Sequence, residues 1–124
     1  MRALIVEENS DTPKIILDSK KNLFEISGRS YPEDSLDFFK KILQWIDQYA
    51  DKPNKKTTFV FKLVYFNSSS YKYFLDILYR LQKIKKKGYA LEVLWYYRDG
   101  DLDIKESGKE FSLLVNIPVK IKKI

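Results

Sequence analysis

Three adjacent hydroxyls stand out in the segment Tyr65-Phe66-Asn67-Ser68-Ser69-Ser70-Tyr71, in a chain of 124 residues with no histidine and no cysteine. Without imidazole there is no ordinary general base near neutral pH, no Ser-His-Asp or Cys-His nucleophile and no histidine metal ligand. Without thiols there are no disulfides and no thiolate zinc site. The serines therefore read as a helix cap, a linker or an acceptor of a phosphoryl group delivered by another protein. Any catalysis would have to rest on carboxylates or lysine.

The densest carboxylates are Asp99, Asp101 and Asp103, with Glu110 further on. They match a calcium loop at its first, third, fifth and twelfth positions. The sixth position, where the loop needs glycine for a sharp turn, is Ile104, and the apolar eighth position is Glu106. Acids at the start of a helix explain the same residues through the helix dipole. Gly100, Gly108 and Lys109 are too far apart for a phosphate loop, no dinucleotide fingerprint is present, and no acid pair is placed across a cleft. The expectation is a non-enzyme with no cofactor and no metal.

The elements that position the serines follow from periodicity. A short strand is expected around Ala3 to Val6. Lys14 to Asp18 and Leu23 to Ser27 form a hairpin about the polar turn Ser19 to Asn22, and Gly28 to Pro32 breaks the second strand. A helix then runs to about Ala50, with Ser30 or Ser35 as its cap. Leu36, Phe39, Leu43, Ile46 and Ala50 make its core stripe, while Phe38, Ile42, Trp45 and Tyr49 form a second stripe, either buried or facing a partner.

Thr57 to Phe66 reads as a central strand, Tyr71 to about Lys87 as a second helix closed by Gly88, and Ala90 to Tyr97 as a strand covered on both faces. A third helix over Asp99 to Leu114 and an edge strand over Pro118 to Ile121 complete the chain. This order predicts one α/β domain over residues 1–124, a single-layer mixed sheet with an N-terminal hairpin and about three packed helices.

At 44% hydrophobic and 15% aromatic residues, the chain has enough apolar surface for one core. No stretch reaches the roughly 18 to 20 apolar residues of a membrane span, and Met1 to Glu8 does not read as a signal peptide, so a cytoplasmic protein without a membrane partner is expected. The net charge is +6. Ten of the 19 lysines fall in three runs, Lys52 to Lys56, Lys83 to Lys87 and Lys120 to Lys123, each read as a solvated element end. Nucleic acid is disfavoured because Tyr73 falls on the core stripe of the second helix, while Lys72, Asp76 and Lys83 group opposite it.

The serines sit where a strand ends and a helix begins. One hydroxyl is expected to be the N-cap, which leaves two without a role. A phosphoryl group there would add roughly −1.5 to −2 charges beside the positive end of a helix.

The segments DTPKIILD (Asp11 to Asp18), GRSYPED (Gly28 to Asp34), FKLVYFNSSSYKYFLDIL (Phe61 to Leu78), VLWYYRDGD (Val93 to Asp101) and GKEF (Gly108 to Phe111) together resemble the SiaC family of bacterial regulatory phosphoproteins. The resemblance implies a small protein of the anti-sigma-factor-antagonist kind, phosphorylated by a dedicated serine/threonine kinase and dephosphorylated by a PP2C-type phosphatase. It implies that the unphosphorylated form binds and activates a diguanylate cyclase. The family's acceptor is a threonine directly after the asparagine of the YFN segment. Ser68 matches that position, with Ser69 and Ser70 as alternatives.

Beside that implication, Asn67 is expected to fix the turn, Tyr65 and Tyr71 to contact a partner, and Arg29 to meet a phosphate or an acidic group. The alternative reading is a basic module that binds protein or nucleic acid without a phosphoswitch.

Overall fold

A computed structural model describes residues 1–124. Six strands, β1 (Leu4–Val6), β2 (Lys14–Asp18), β3 (Leu23–Ser30), β4 (Lys56–Phe66), β5 (Ala90–Tyr97) and β6 (Val119–Lys123), form one sheet in sequential order. β1, β2 and β3 pair antiparallel, and β3 to β6 pair parallel. Each parallel connection carries a helix: α1 (Ser35–Asp51), α2 (Ser68–Lys86) and α3 (Leu102–Leu114). Because successive crossovers step one strand in the same direction, and such crossovers share one hand, all three helices land on the same face.

Alternation along the strands records that one-sided burial. Phe24 and Ile26, then Phe59, Phe61 and Leu63, then Leu91, Val93 and Trp95 are buried under the helices. β5 is therefore covered on one face, not on both as its apolar composition suggested: Glu92, Leu94 and Tyr96 lie on the open face, only partly buried. Cross-strand pairs on that face offset charge, with Lys62 3.6 Å from Glu25 and 5.2 Å over the Tyr96 ring, and Lys120 2.9 Å from Glu92.

Both apolar stripes of α1 enter the core. Ile42, Trp45 and Tyr49 are buried along with Phe39, Leu43, Ile46 and Ala50, while Leu36 remains 67% exposed. The α1 cap is Asp34, whose carboxylate accepts the Asp37 amide at 3.1 Å, and not Ser30 or Ser35. Ser30 is unavailable because β3 does not stop at Gly28. Gly28 takes φ +100, the register shifts between Gly28 and Arg29, and pairing with β4 resumes through Ser30. Glycine's tolerance of positive φ carries the strand through the irregularity.

α3 is held against the sheet by Trp95, whose indole Nε1 donates to the Ile104 carbonyl at 2.8 Å. Gly108 lies flat on that indole, and a Cβ built there would fall 2.4 Å from Trp95 Cδ1. Trp95 is itself wedged among Phe61, Phe66 and Phe111. Gly108→Ala is expected to destabilise the protein by about 1–3 kcal/mol through overpacking, more than the helix propensity alanine returns. Urea unfolding monitored by tryptophan fluorescence measures it, and an unchanged midpoint would show that α3 can shift freely.

Candidate functional site

The C-terminal ends of β3, β4 and β5 and the N-termini of all three helices meet at one end of the molecule. In a parallel sheet this is where loops are free to carry function. Each helix there is capped by its preceding side chain: Asp34 for α1, Asn67 for α2 and Asp101 for α3. Asp101 accepts the Ile104 amide at 3.1 Å and Asp103 sits in the first turn, which is the helix-start role of the acidic cluster.

At the β4–α2 junction the cap is Asn67, not a serine. Its Oδ1 accepts the Ser70 amide at 2.9 Å, and its own amide donates to the Ser30 carbonyl at 3.1 Å. The helix thus begins at Ser68, one turn earlier than its apolar periodicity indicated, because the capping side chain and three serines continue it without contributing apolar residues. Asparagine is as good a cap as serine, and its carbonyl oxygen reaches the third helical amide.

With the cap filled, the three hydroxyls separate by environment. Ser68, the first helical residue, is exposed, and Ser69 is partly buried. Ser70 is fully buried; its Oγ lies 2.7 Å from Ser30 Oγ and donates to the Ser30 carbonyl at 2.9 Å. The Ser30 carbonyl therefore receives both the Asn67 amide and the Ser70 hydroxyl, and this latch ties the end of β3 to the start of α2. The first amides of a helix have no intrahelical partner, so Ser68 sits among unpaired donors at the positive end of α2.

Arg29 and Tyr65 are register partners on β3 and β4, and both are exposed. Arg29 makes no ion pair. Tyr31 packs edge-on against Tyr65 with centroids 5.7 Å apart, anchored by its hydroxyl donating to the Ser10 carbonyl at 2.8 Å. Arg29, Tyr31, Tyr65 and Ser68 thus crowd one end of the sheet.

Tyr71 faces inward. It is partly buried, stacks on Phe111 at 4.7 Å and donates to Glu110 at 2.9 Å, and burial together with Glu110 pushes its pKa up to about 12. These contacts tie α2 to α3. Beside Tyr65 a cavity of about 320 Å³ opens between β4 and α3, lined by Val64, Phe66, Ile104, Asp101 and Asp103.

Sequence reasoning missed Ser30 and Tyr31. The available signal was topological: if the strands containing Arg29 and Tyr65 are parallel and adjacent, the residues following each must meet.

A family model for the SiaC family regulatory phosphoproteins matches residues 6–124. The chain belongs to the SiaC family. It superposes on SiaC of Pseudomonas aeruginosa over all of both chains, with a TM-score of 0.89 at 25% identity. A similar match, with a TM-score of 0.89 at 25% identity over 98% of this chain and 99% of the other, is found in a crystal structure of the diguanylate cyclase SiaD in complex with its activator SiaC from the same organism. An uncharacterised protein of Pseudomonas aeruginosa strain UCBPP-PA14 is 26% identical over 98% of this chain and 97% of its own length. The fold shared with SiaC is thus a single mixed sheet with its helices on one face, and in this chain the serines lie at the end where those helices begin. No helix of the protein is long and apolar enough to cross a membrane.

Proposed function

We propose that this SiaC-family chain is a non-catalytic phosphoswitch in which Ser68 is the acceptor and the surface around Arg29, Tyr31 and Tyr65 binds a protein effector. The observation that carries the choice is the unequal burial of the serines: Ser68 is an exposed residue, whereas Ser70 is fully buried and committed to Ser30. A kinase must enclose its acceptor hydroxyl, and only an outward-facing residue permits that while the fold stays intact. Ser69, partly buried, is less accessible than Ser68.

A cognate serine/threonine kinase would place the phosphate and a PP2C-type phosphatase would remove it. The effector is a diguanylate cyclase, by analogy with the complex formed by the SiaC relative. The unphosphorylated form offers a tyrosine and arginine surface of the kind that dominates protein interfaces. A phosphate at Ser68 adds roughly two negative charges at its border, favourable for the α2 terminus but a desolvation cost against a docked partner. Phosphorylation therefore keeps the fold and releases the effector.

Calorimetric titration of the cyclase with Ser68→Ala and Ser68→Asp tests this. Retained affinity for alanine and a loss of about a hundredfold for aspartate are expected, equivalent to roughly 3 kcal/mol of interfacial charge penalty. Equal affinities would reject Ser68 as the switch. Phosphopeptide mapping of the protein from its native cell, lysed in a metal chelator to stop a PP2C-type phosphatase, should place the phosphate on Ser68.

A further inference from the structure

The lysine runs are separate solvated stretches in the sequence, but the fold gathers two of them, together with the hairpin turn, at one end. Asn54 Nδ2 donates to the Ser19 carbonyl at 2.9 Å and to Asn22 Oδ1 at 3.0 Å, drawing the α1–β4 loop against the turn that carries Lys20 and Lys21. The Lys55 carbonyl accepts the Ala90 amide at 3.1 Å, and Lys87 Nζ donates to the Ala50 and Asp51 carbonyls at 3.1 and 3.0 Å. These bonds bring Lys20 and Lys21 of the turn, Lys55 and Lys56 where the loop enters β4, and the lysines at the end of α2 to one pole, and all of them are exposed. The pole lies at the N-terminal ends of β3, β4 and β5, opposite Ser68.

Part of this charge has local work. Lys83 pairs with Asp51 at 2.8 Å, Lys87 covers the carbonyl end of α1, and Lys85 reaches the Asn116 carbonyl at 3.4 Å. The negative ends of α1 and α2 favour lysines nearby. Neither reason covers Lys20 and Lys21 on the hairpin or Lys55 and Lys56 entering β4, and these four make no ion pair.

The chemistry of the field selects its partner. Apart from Arg2, which leads into β1 at this end, the cations are lysines: Arg29 and Arg98 belong to the opposite end, and Arg80 is held by Asp47 and Asp76. Lysine is a point charge without the planar fork that reads individual phosphates, so a diffuse anionic surface suits it better than a nucleic acid. Leu23, 42% exposed, and Tyr89, 39% exposed, stand at the same end as apolar groups for an interface.

We propose that this lysine pole docks on the anionic surface of a lipid bilayer, leaving the Ser68 end directed away from it; the expectation of no membrane partner rests on the lack of a spanning segment, which surface docking does not need. The pole is present whatever the state of Ser68, so the docking stands apart from the switch.

Flotation of the full chain with phosphatidylcholine vesicles, with and without phosphatidylglycerol, tests it. The protein should float only with the anionic vesicles, and less so as salt is raised. Combining Lys20→Gln, Lys21→Gln, Lys55→Gln and Lys56→Gln should reduce partitioning roughly fivefold per lysine, on the order of several hundredfold together. The Lys120→Gln and Lys122→Gln pair, on the open sheet face, should leave it unchanged. No flotation, equal flotation with both vesicles, or a quadruple variant that floats like the parent would overturn the proposal. Capture by DNA without flotation would overturn it in favour of a nucleic-acid partner.

Discussion

Ser70→Asp is expected to cost the fold about 3–5 kcal/mol, whereas Ser68→Asp, two residues away, should leave it as stable as the parent or slightly more so. The contrast follows from burial. Ser70 has no exposed surface, and its neighbours are the Ser30 hydroxyl and carbonyl. A carboxylate there would face the Ser30 carbonyl oxygen with only one hydroxyl donor, so it would either remain ionised without compensation or take up a proton at the expense of its own acidity. At Ser68 the same carboxylate meets water, the unpaired first amides of α2 and the positive helix end, which together favour it by about 0.3–1 kcal/mol.

Urea unfolding of the two variants measures the difference directly. The comparison bears on the acceptor, because a phosphate is larger and more highly charged than aspartate. If Ser70→Asp unfolded at the same urea concentration as Ser68→Asp, the latch would be soft, and Ser70 would return as an acceptor. Unequal stabilities in the expected order confine modification of the folded protein to the outer serines.

Much of this architecture is legible in the sequence because it is written in periodicity. The mixed sheet, the hairpin and the three crossover helices follow from apolar alternation and helical stripes. The second stripe of α1 proved to be core because Trp45 and Tyr49 stack together and over Phe24, which a single element cannot reveal. The errors cluster where one residue serves two elements. Asn67 reads as a turn former beside a serine cap, yet its side chain caps α2 while its backbone amide closes onto β3. Ser30, like Ser35, reads as a candidate helix cap because Gly28 resembles a strand break. Only the parallel pairing with β4 shows the strand passing through it. The one-sided cover of β5 was hidden for a related reason: Leu94 and Tyr96 look like core in composition, yet the shared hand of the crossovers leaves their face open.

Tyr65→Ala should weaken binding of the proposed cyclase effector by about 2–4 kcal/mol, roughly 30- to 1000-fold, with little change in stability. Tyr65 is 47% exposed although it belongs to a central strand of the sheet, and Tyr31 holds its ring edge-on at 5.7 Å. A large aromatic side chain kept rigid and partly bare loses little conformational freedom on docking, the condition under which a tyrosine contributes most at an interface. Arg29, its register partner, supplies a cation without an ion-pair partner, so Arg29→Ala should add a smaller loss that couples to that of Tyr65. A double-mutant cycle by calorimetric titration separates the two, and Tyr71→Phe serves as the internal comparison. Because the Tyr71 hydroxyl is spent on Glu110, its removal should cost the fold about 1 kcal/mol and leave affinity within about twofold. Reversal of that pattern, with Tyr71 dominating affinity and Tyr65 near neutral, would move the effector off the β3–β4 end and onto the cleft between α2 and α3.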